Sequence, residues 1–282
     1  MPHRLRPDIS MVDVLDYILS VYEVEQDPST GRNVSPHIPK MKIDADARIL
    51  IISPHQDDDV IGCGGTIRKH QLAGAQVKVV FMTDGRYGNC DVEPIELAQI
   101  RRDEAVDSLA SLGCHDAQFF KNPDMGLECD TSNIYRLNAV IRDFHPTAIF
   151  VPSFVDGPPD HYHTSKILAY ALIEYEEDVE VYSYEVWSVI IPNVVVDISD
   201  VMTDKLEAIG RHRSQVAVAD YPRMVRGLNE YRSMLGGKGC LFCEAFIRLS
   251  KNEYLEAARR LGVVEFSSPI AIELGFDPSR LL

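Results

Sequence analysis

Hydrophobic positions along the chain fall into two alternating periods. ARILIIS (47–53), VKVVFMTD (77–84), AQFFK (117–121) and TAIFVPS (147–153) are short, nearly unbroken apolar runs, with the length and β-branched content of strands buried on both faces. Between them, apolar residues recur at helical spacing. One such stretch ends near Ala73, where Gly74 is placed to stop it, and another runs from Pro94 to Leu112, closed by Gly113. Further helices are predicted over 131–144 and from about Thr164 to Glu176. Strands at 179–188 and 192–199, helices at 201–213 and 222–235, and a terminal strand and helix complete the pattern. This alternation predicts an α/β fold, a mostly parallel sheet flanked by helices. Residues 9–26 predict an additional N-terminal helix, and 27–40 a turn-rich loop. No repeat or linker divides the chain. The expectation is one domain over 1–282, with helix and loop to 45, a core over 46–250 and a C-terminal tail over 251–282.

Composition narrows the partners. The chain has 282 residues, 45% hydrophobic and 25% charged, which is ordinary for a globular protein with one sizeable core. Its 28 basic and 43 acidic residues leave a net charge of −15. Such a surface repels phosphate backbones and anionic lipid, so neither nucleic acid nor membrane is expected, and a small neutral substrate is. The N-terminus MPHRLRPDIS lacks the apolar core of a secretory signal, and no stretch approaches the roughly 18 apolar residues of a membrane span. The six cysteines are mostly scattered, as reduced thiols in a cytoplasmic protein would be. Cys240 and Cys243 form a CxxC, but no second one completes a structural zinc site, and the spacing reads as coincidence.

The chemistry concentrates directly after the first strand, in Ser53-Pro54-His55-Gln56-Asp57-Asp58-Asp59. Ligands of open α/β sheets bind beyond the carboxyl ends of strands. A dinucleotide site would need GxGxxG here; three carboxylates would instead repel a pyrophosphate, and Gly62, Gly64 and Gly65 come too late. A His three residues before an Asp on one tight turn can direct a nitrogen and an oxygen at one cation, a donor pair suited to Zn2+. Asp57 is then free to take a proton from the attacking water. The plainer reading is that the acidic run caps the following helix. Pro159-Asp160-His161-Tyr162-His163-Thr164 follows another strand and can supply a third ligand. On a helix start His161 and His163 would point in different directions, so one of them, rather than both, is expected to bind.

SPHQDDDVIGCGGTI, TDG at 83–85, IRRDEAVDSLASLG at 100–113, PDHYHTS at 159–165 and DISDVMTDKLEAIGRHRSQ at 197–215 together resemble the PIG-L/LmbE family of zinc-dependent de-N-acetylases. The resemblance spans roughly 47–250 and is strongest to the branch containing diacetylchitobiose deacetylase. It implies a Rossmann-like fold and hydrolysis of the N-acetyl group of an amino sugar by a homo-oligomer, trimer or hexamer. By the same resemblance, His55, Asp58 and His161 match the metal triad and Asp57 the general base, while Asp59 stands where Glu is more usual. Arg101 and Asp124 match positions used around the sugar; otherwise they are a helix-surface Arg and a turn Asp. The family's proton-donating His is replaced by Pro158, which can neither donate nor stabilise an oxyanion. His163 or Tyr162 could substitute, with Asp160 orienting His163 or His161. Two other functions fit the same residues: a metal-containing sugar-binding or regulatory relative without activity, and a zinc amidase for a non-sugar amide.

Overall fold

The computed structural model of the protein describes residues 38–265, so the helix expected over 9–26 lies outside the described residues, as does the end of the tail. The strands are β1 (Arg48–Ser53), β2 (Gln76–Thr83), β3 (Asp116–Asn122), β4 (Ala148–Pro152), β5 (Glu180–Tyr184), β6 (Val194–Asp197) and β7 (Cys243–Ser250). The helices are α1 (Asp58–Ala73), α2 (Pro94–Ser111), α3 (Thr131–Phe144), α4 (Pro159–Ile173), α5 (Met202–Gly210), α6 (Arg213–Val216), α7 (Tyr221–Arg232) and α8 (Lys251–Arg260). Among the described residues no helix is long and apolar enough to cross a membrane.

The strands form one sheet in the order β3-β2-β1-β4-β5-β7-β6. The first five are parallel, whereas β7 runs antiparallel to both β5 and β6. The expected mostly parallel sheet is therefore what the chain builds. Period-two alternation divides its core. Leu50, Ile52, Val80, Met82, Ile149 and Val151 face the cluster completed by α3, α4 and α8. Ile49, Ile51, Val79, Phe81 and Phe150 face the cluster under α1, α2 and α5. Both faces are covered, which is why these strands read as unbroken apolar runs.

From β1 the chain winds outward through β2 and β3, then crosses back to β4 on the other side of β1. The connections after β1 and β4 thus leave in opposite directions and open a crevice at the carboxyl end of the sheet. Both acidic motifs emerge into it.

The glycines of α1 serve packing. A Cβ on Gly62 would lie 2.9 Å from Tyr184 Cγ, and one on Gly65 2.8 Å from Ile198 Cβ. This close approach brings Glu244, on β7, against the middle of α1. Its carboxylate accepts from the backbone N–H of Gly65 (2.7 Å) and Thr66 (2.8 Å) and from Lys205 Nζ (2.6 Å), all buried. Removing one partner of such a buried pair typically costs about 3–5 kcal/mol.

Several boundaries differ from the sequence reading; the strand expected over 179–188, for example, ends at Tyr184. Helix α4 begins at Pro159 rather than near Thr164, so PDHYH is its first turn and not a loop. Proline at the first helical position has no N–H to leave unpaired and its φ is already helical. The helix expected over 201–213 stops at Gly210 and resumes as the single turn α6.

Candidate metal centre

The turn after β1 is held by its own side chains. Ser53 Oγ donates to the His55 carbonyl (2.7 Å) and accepts from the Asp59 N–H (3.0 Å). Thr83, at the end of β2, donates through N and Oγ1 to the Pro54 carbonyl. These bonds present His55 and Asp58 to the crevice, where His161 arrives on the first turn of α4. His55 Nδ1 lies 3.0 Å from Asp58 Oδ2, His161 Nε2 lies 3.1 Å from the same oxygen, and the two ring nitrogens are 3.2 Å apart.

Three donors with these mutual separations fit one face of a tetrahedron whose centre is about 2 Å from each, the distance at which Zn2+ binds nitrogen and oxygen. Two imidazoles and one carboxylate, with the fourth direction open, also form the donor set of a hydrolytic metal site. A second group could be drawn from His55, Asp124 and Asp160. It uses the other nitrogen of His55, with Nε2 3.2 Å from both Asp124 Oδ1 and Asp160 Oδ2. One imidazole holding a metal through Nδ1 carries its proton on Nε2, so these two carboxylates act as acceptors for that N–H. His161 is held alike: its Nδ1 is 2.9 Å from Asp156 Oδ2, with both side chains fully buried. Each candidate ligand histidine therefore has a carboxylate behind it.

Asp156 was not singled out by the sequence. Its only local signal is a carboxylate five residues ahead of a candidate ligand, in the loop between β4 and α4. Asp160, expected to orient His161 or His163, instead faces His55, and it accepts from the N–H groups of Met125 (2.7 Å) and Leu127 (3.2 Å). As the second residue of α4 it points across the crevice, away from the far side of His161 where Asp156 sits.

Charge in the centre is strongly acidic. Burial would lower His55, but the carboxylates of Asp124, Asp160 and Asp58 outweigh it and push the imidazole well above its ordinary value. Against the same burial penalty, Asp58 and Asp156 raise His161 to about 9. Asp124 is drawn down to about 2, its burial outweighed by His55, the Tyr87 N–H and Arg101. Such a cluster calls for positive charge, which a bound cation would supply.

Asp57 sits beside the triad with its carboxyl raised to about 6, mainly by burial, which the Arg101 guanidinium opposes. Arg101 is buried, donating from Nη2 to Asp57 Oδ1 (2.9 Å) and from Nη1 to the Gly85 carbonyl (3.0 Å). The side chain expected at the sugar thus bears on the candidate base. Gly85, at φ +63, clears its path, since a Cβ there would lie 2.8 Å from Arg101 Nη1. Asp124 is buried against His55 and the Tyr87 N–H (2.9 Å). Asp59 turns into the core, where burial and its two acidic neighbours raise its carboxyl well above the ordinary range. His163 is two residues past His161, about 200° further around the helix, with its ring 5.7 Å from that of Tyr162.

Residues 50–172 match the family described as PIG-L: GlcNAc-PI de-N-acetylase. The chain is 32% identical over 186 residues to diacetylchitobiose deacetylase of Thermococcus kodakarensis, covering 60% of this chain and 70% of that protein. It is 28% identical over 183 residues to a probable N-acetyl-alpha-D-glucosaminyl L-malate deacetylase 2 of Bacillus cereus, covering 59% and 83%. The fold superposes on N,N'-diacetylchitobiose deacetylase from Pyrococcus horikoshii with a TM-score of 0.66 at 26% identity, covering 86% of this chain and 95% of that one.

Proposed function

The chain belongs to the PIG-L family of de-N-acetylases, and from that premise we propose that it hydrolyses the N-acetyl group of an amino sugar in a Zn2+-dependent reaction, releasing acetate and a free amine. The observation that carries this reading is the triangle of His55, Asp58 and His161 donors with a buried carboxylate, Asp57, beside it. His55 Nδ1, Asp58 Oδ2 and His161 Nε2 would hold the ion. Bound there, Zn2+ supplies Lewis acidity, polarising the acetamide carbonyl and making water acidic near neutral pH.

The chain's own residues do the rest. Asp57, steadied by Arg101 at 2.9 Å, takes the proton of the attacking water as oxygen adds to the acetamide carbon. Asp156 and Asp160 keep the ligand histidines in the tautomers that leave Nε2 of His161 and Nδ1 of His55 free of protons. When the C–N bond breaks, the nitrogen takes a proton and acetate departs. Pro158 cannot supply that proton, and His163 is turned around the helix from His161. We therefore assign the donor to Asp57, which already holds a proton beside the reacting carbon, with His163 as the alternative that its alanine variant tests. Retention of Asp57 beside the triad favours an enzyme over a sugar-binding relative without activity.

The test is acetate release from a panel of N-acetylhexosamine glycosides by the zinc-loaded and the chelated protein. Release that requires the metal is expected. Stoichiometric zinc with no acetate from any member of the panel would overturn the proposal.

A further inference from the structure

Cys240 and Cys243, whose CxxC spacing reads as coincidence in the sequence, meet at the edge of the sheet. Cys243 opens β7 and pairs in register with Asp197 of the edge strand β6. Its sulfur lies 2.7 Å from that of Cys240. Gly236 leaves the space that the two sulfurs share, since a Cβ there would lie 2.6 Å from Cys243 Sγ and 2.7 Å from Cys240 Sγ. Ser199 holds the turn between them. Its hydroxyl oxygen accepts from the N–H groups of Leu241 (2.8 Å) and Phe242 (3.2 Å), and its proton goes to Asp197 Oδ1 (2.6 Å). Asp197 in turn accepts from Lys40 Nζ at 2.9 Å. On the inner side Ile38, Leu235, Val195 and Ala245 complete a small apolar cluster with the two cysteines.

Two thiols in contact can share a soft metal or be oxidised to a disulfide. A metal needs further donors, and among the described residues the groups able to hold an ion all include His55, at the centre on the other side of β4 and β5. Oxidation needs nothing more than the pair. Cys240 is partly exposed and Cys243 buried. Burial, and then the Cys240 sulfur, push the Cys243 thiol up, so the sulfur that meets solvent is the one free to react first. An accessible thiol with a resolving thiol beside it is the arrangement of a redox-sensing pair. A ring closed over so few residues restrains the unfolded chain least, so the bond suits a reversible couple better than a staple. We propose that Cys240 and Cys243 are a redox site, converted to an intramolecular disulfide by exchange with a small-molecule disulfide. The Cys240 thiolate attacks one sulfur of that molecule, forming a mixed disulfide and expelling the other half as a thiolate. Cys243 then gives up its proton and attacks Cys240 Sγ, expelling the second half. The pair loses two electrons, and the small disulfide leaves as two thiols.

Cleavage after Lys238 and Arg248 isolates residues 239–248, a peptide that carries these two cysteines and no other. The full-length protein is equilibrated in mixtures of reduced and oxidised glutathione at fixed pH, quenched with acid and alkylated, and the peptide is weighed. It should pass from two alkyl groups to an internal disulfide as the oxidised form rises, and return in excess dithiothreitol. Half-oxidation should fall at a glutathione mixture at least about tenfold more reducing than for the urea-unfolded chain, because the fold already holds the sulfurs together. Cys243→Ser should stop at a mixed disulfide of Cys240 with glutathione, and Cys240→Ser should leave Cys243 without one. Two free thiols at every mixture, equal midpoints for folded and unfolded chains, or glutathione retained on both cysteines of the wild type would overturn the proposal. Glutathione on Cys243 but not on Cys240 in the single variants would overturn the order of attack.

Discussion

Asp156→Asn is the sharpest perturbation available, because it changes one atom and the structure dictates where that atom goes. Asp156 Oδ1 accepts two backbone N–H groups, from Gly157 (3.0 Å) and Trp187 (3.1 Å), while Oδ2 is 2.9 Å from His161 Nδ1. An asparagine must keep its carbonyl oxygen under the two backbone donors, so its NH2 replaces Oδ2 and faces the imidazole. Two donors cannot share that contact. His161 then moves its proton from Nδ1 to Nε2, the nitrogen 3.1 Å from Asp58 Oδ2 that would bind the ion. Loss of such an outer carboxylate typically costs 10–100-fold in metal affinity, about 1.4–2.8 kcal/mol. The site is fully buried, so solvent cannot stand in for the lost acceptor. Competition against a chelating dye gives the zinc Kd directly, and thermal unfolding of both metal-free proteins separates affinity from fold stability. Zinc affinity within twofold of wild type, in a variant that folds, would refute the tautomer argument.

Four further outcomes follow from the same geometry. His55→Ala and His161→Ala should each empty the centre, and elemental analysis showing full zinc in both would remove them from the ligand set. Asp57→Asn should retain zinc and lose at least about 10²-fold in turnover; steady-state kinetics near wild type would reduce Asp57 to a structural residue. His163→Ala should leave kcat unchanged, because its ring is carried around α4 from His161, and a large fall in kcat alone would make His163 the proton donor. The fourth concerns His70, which burial holds neutral, with its pKa lowered to about 4. As pH falls through 6.5 the unfolded chain takes a proton that the native one refuses. Stability should drop by up to about 3 kcal/mol before levelling near pH 4. Urea midpoints of His70→Gln should show a shallower slope over that window, and parallel slopes would contradict it.

The exposed aliphatic groups of the β5–β6 connection, Val189 and Ile191, are candidate contacts between copies. We expect a trimer or hexamer in solution, and a monomeric mass by light scattering at micromolar concentration would exclude it.

What could be read from the sequence was whatever is local. The apolar runs that become β1, β2 and β4 are encoded by consecutive residues, and so is the rhythm that makes the sheet mostly parallel. His55 and Asp58 are three residues apart on one turn, so their convergence needs nothing from the rest of the chain; a third ligand was identifiable in PDHYH because it too follows a strand end, with the family resemblance choosing His161 over His163. Tertiary structure decided what surrounds them. Arg101 meets Asp57 across 44 residues and Asp160 meets His55 across 105, separations over which no periodicity carries information. The start of α4 at Pro159 turned an expected loop into a helix, which puts His161 and His163 on different sides of it as the spacing alone had implied for a helix start. The role of Asp156 became visible only once the loops after β4 and β5 had met at its carboxylate, beside His161. A carboxylate's partner is chosen by which groups the packed sheet brings within 3 Å in a buried crevice, and that choice is made by the whole chain at once.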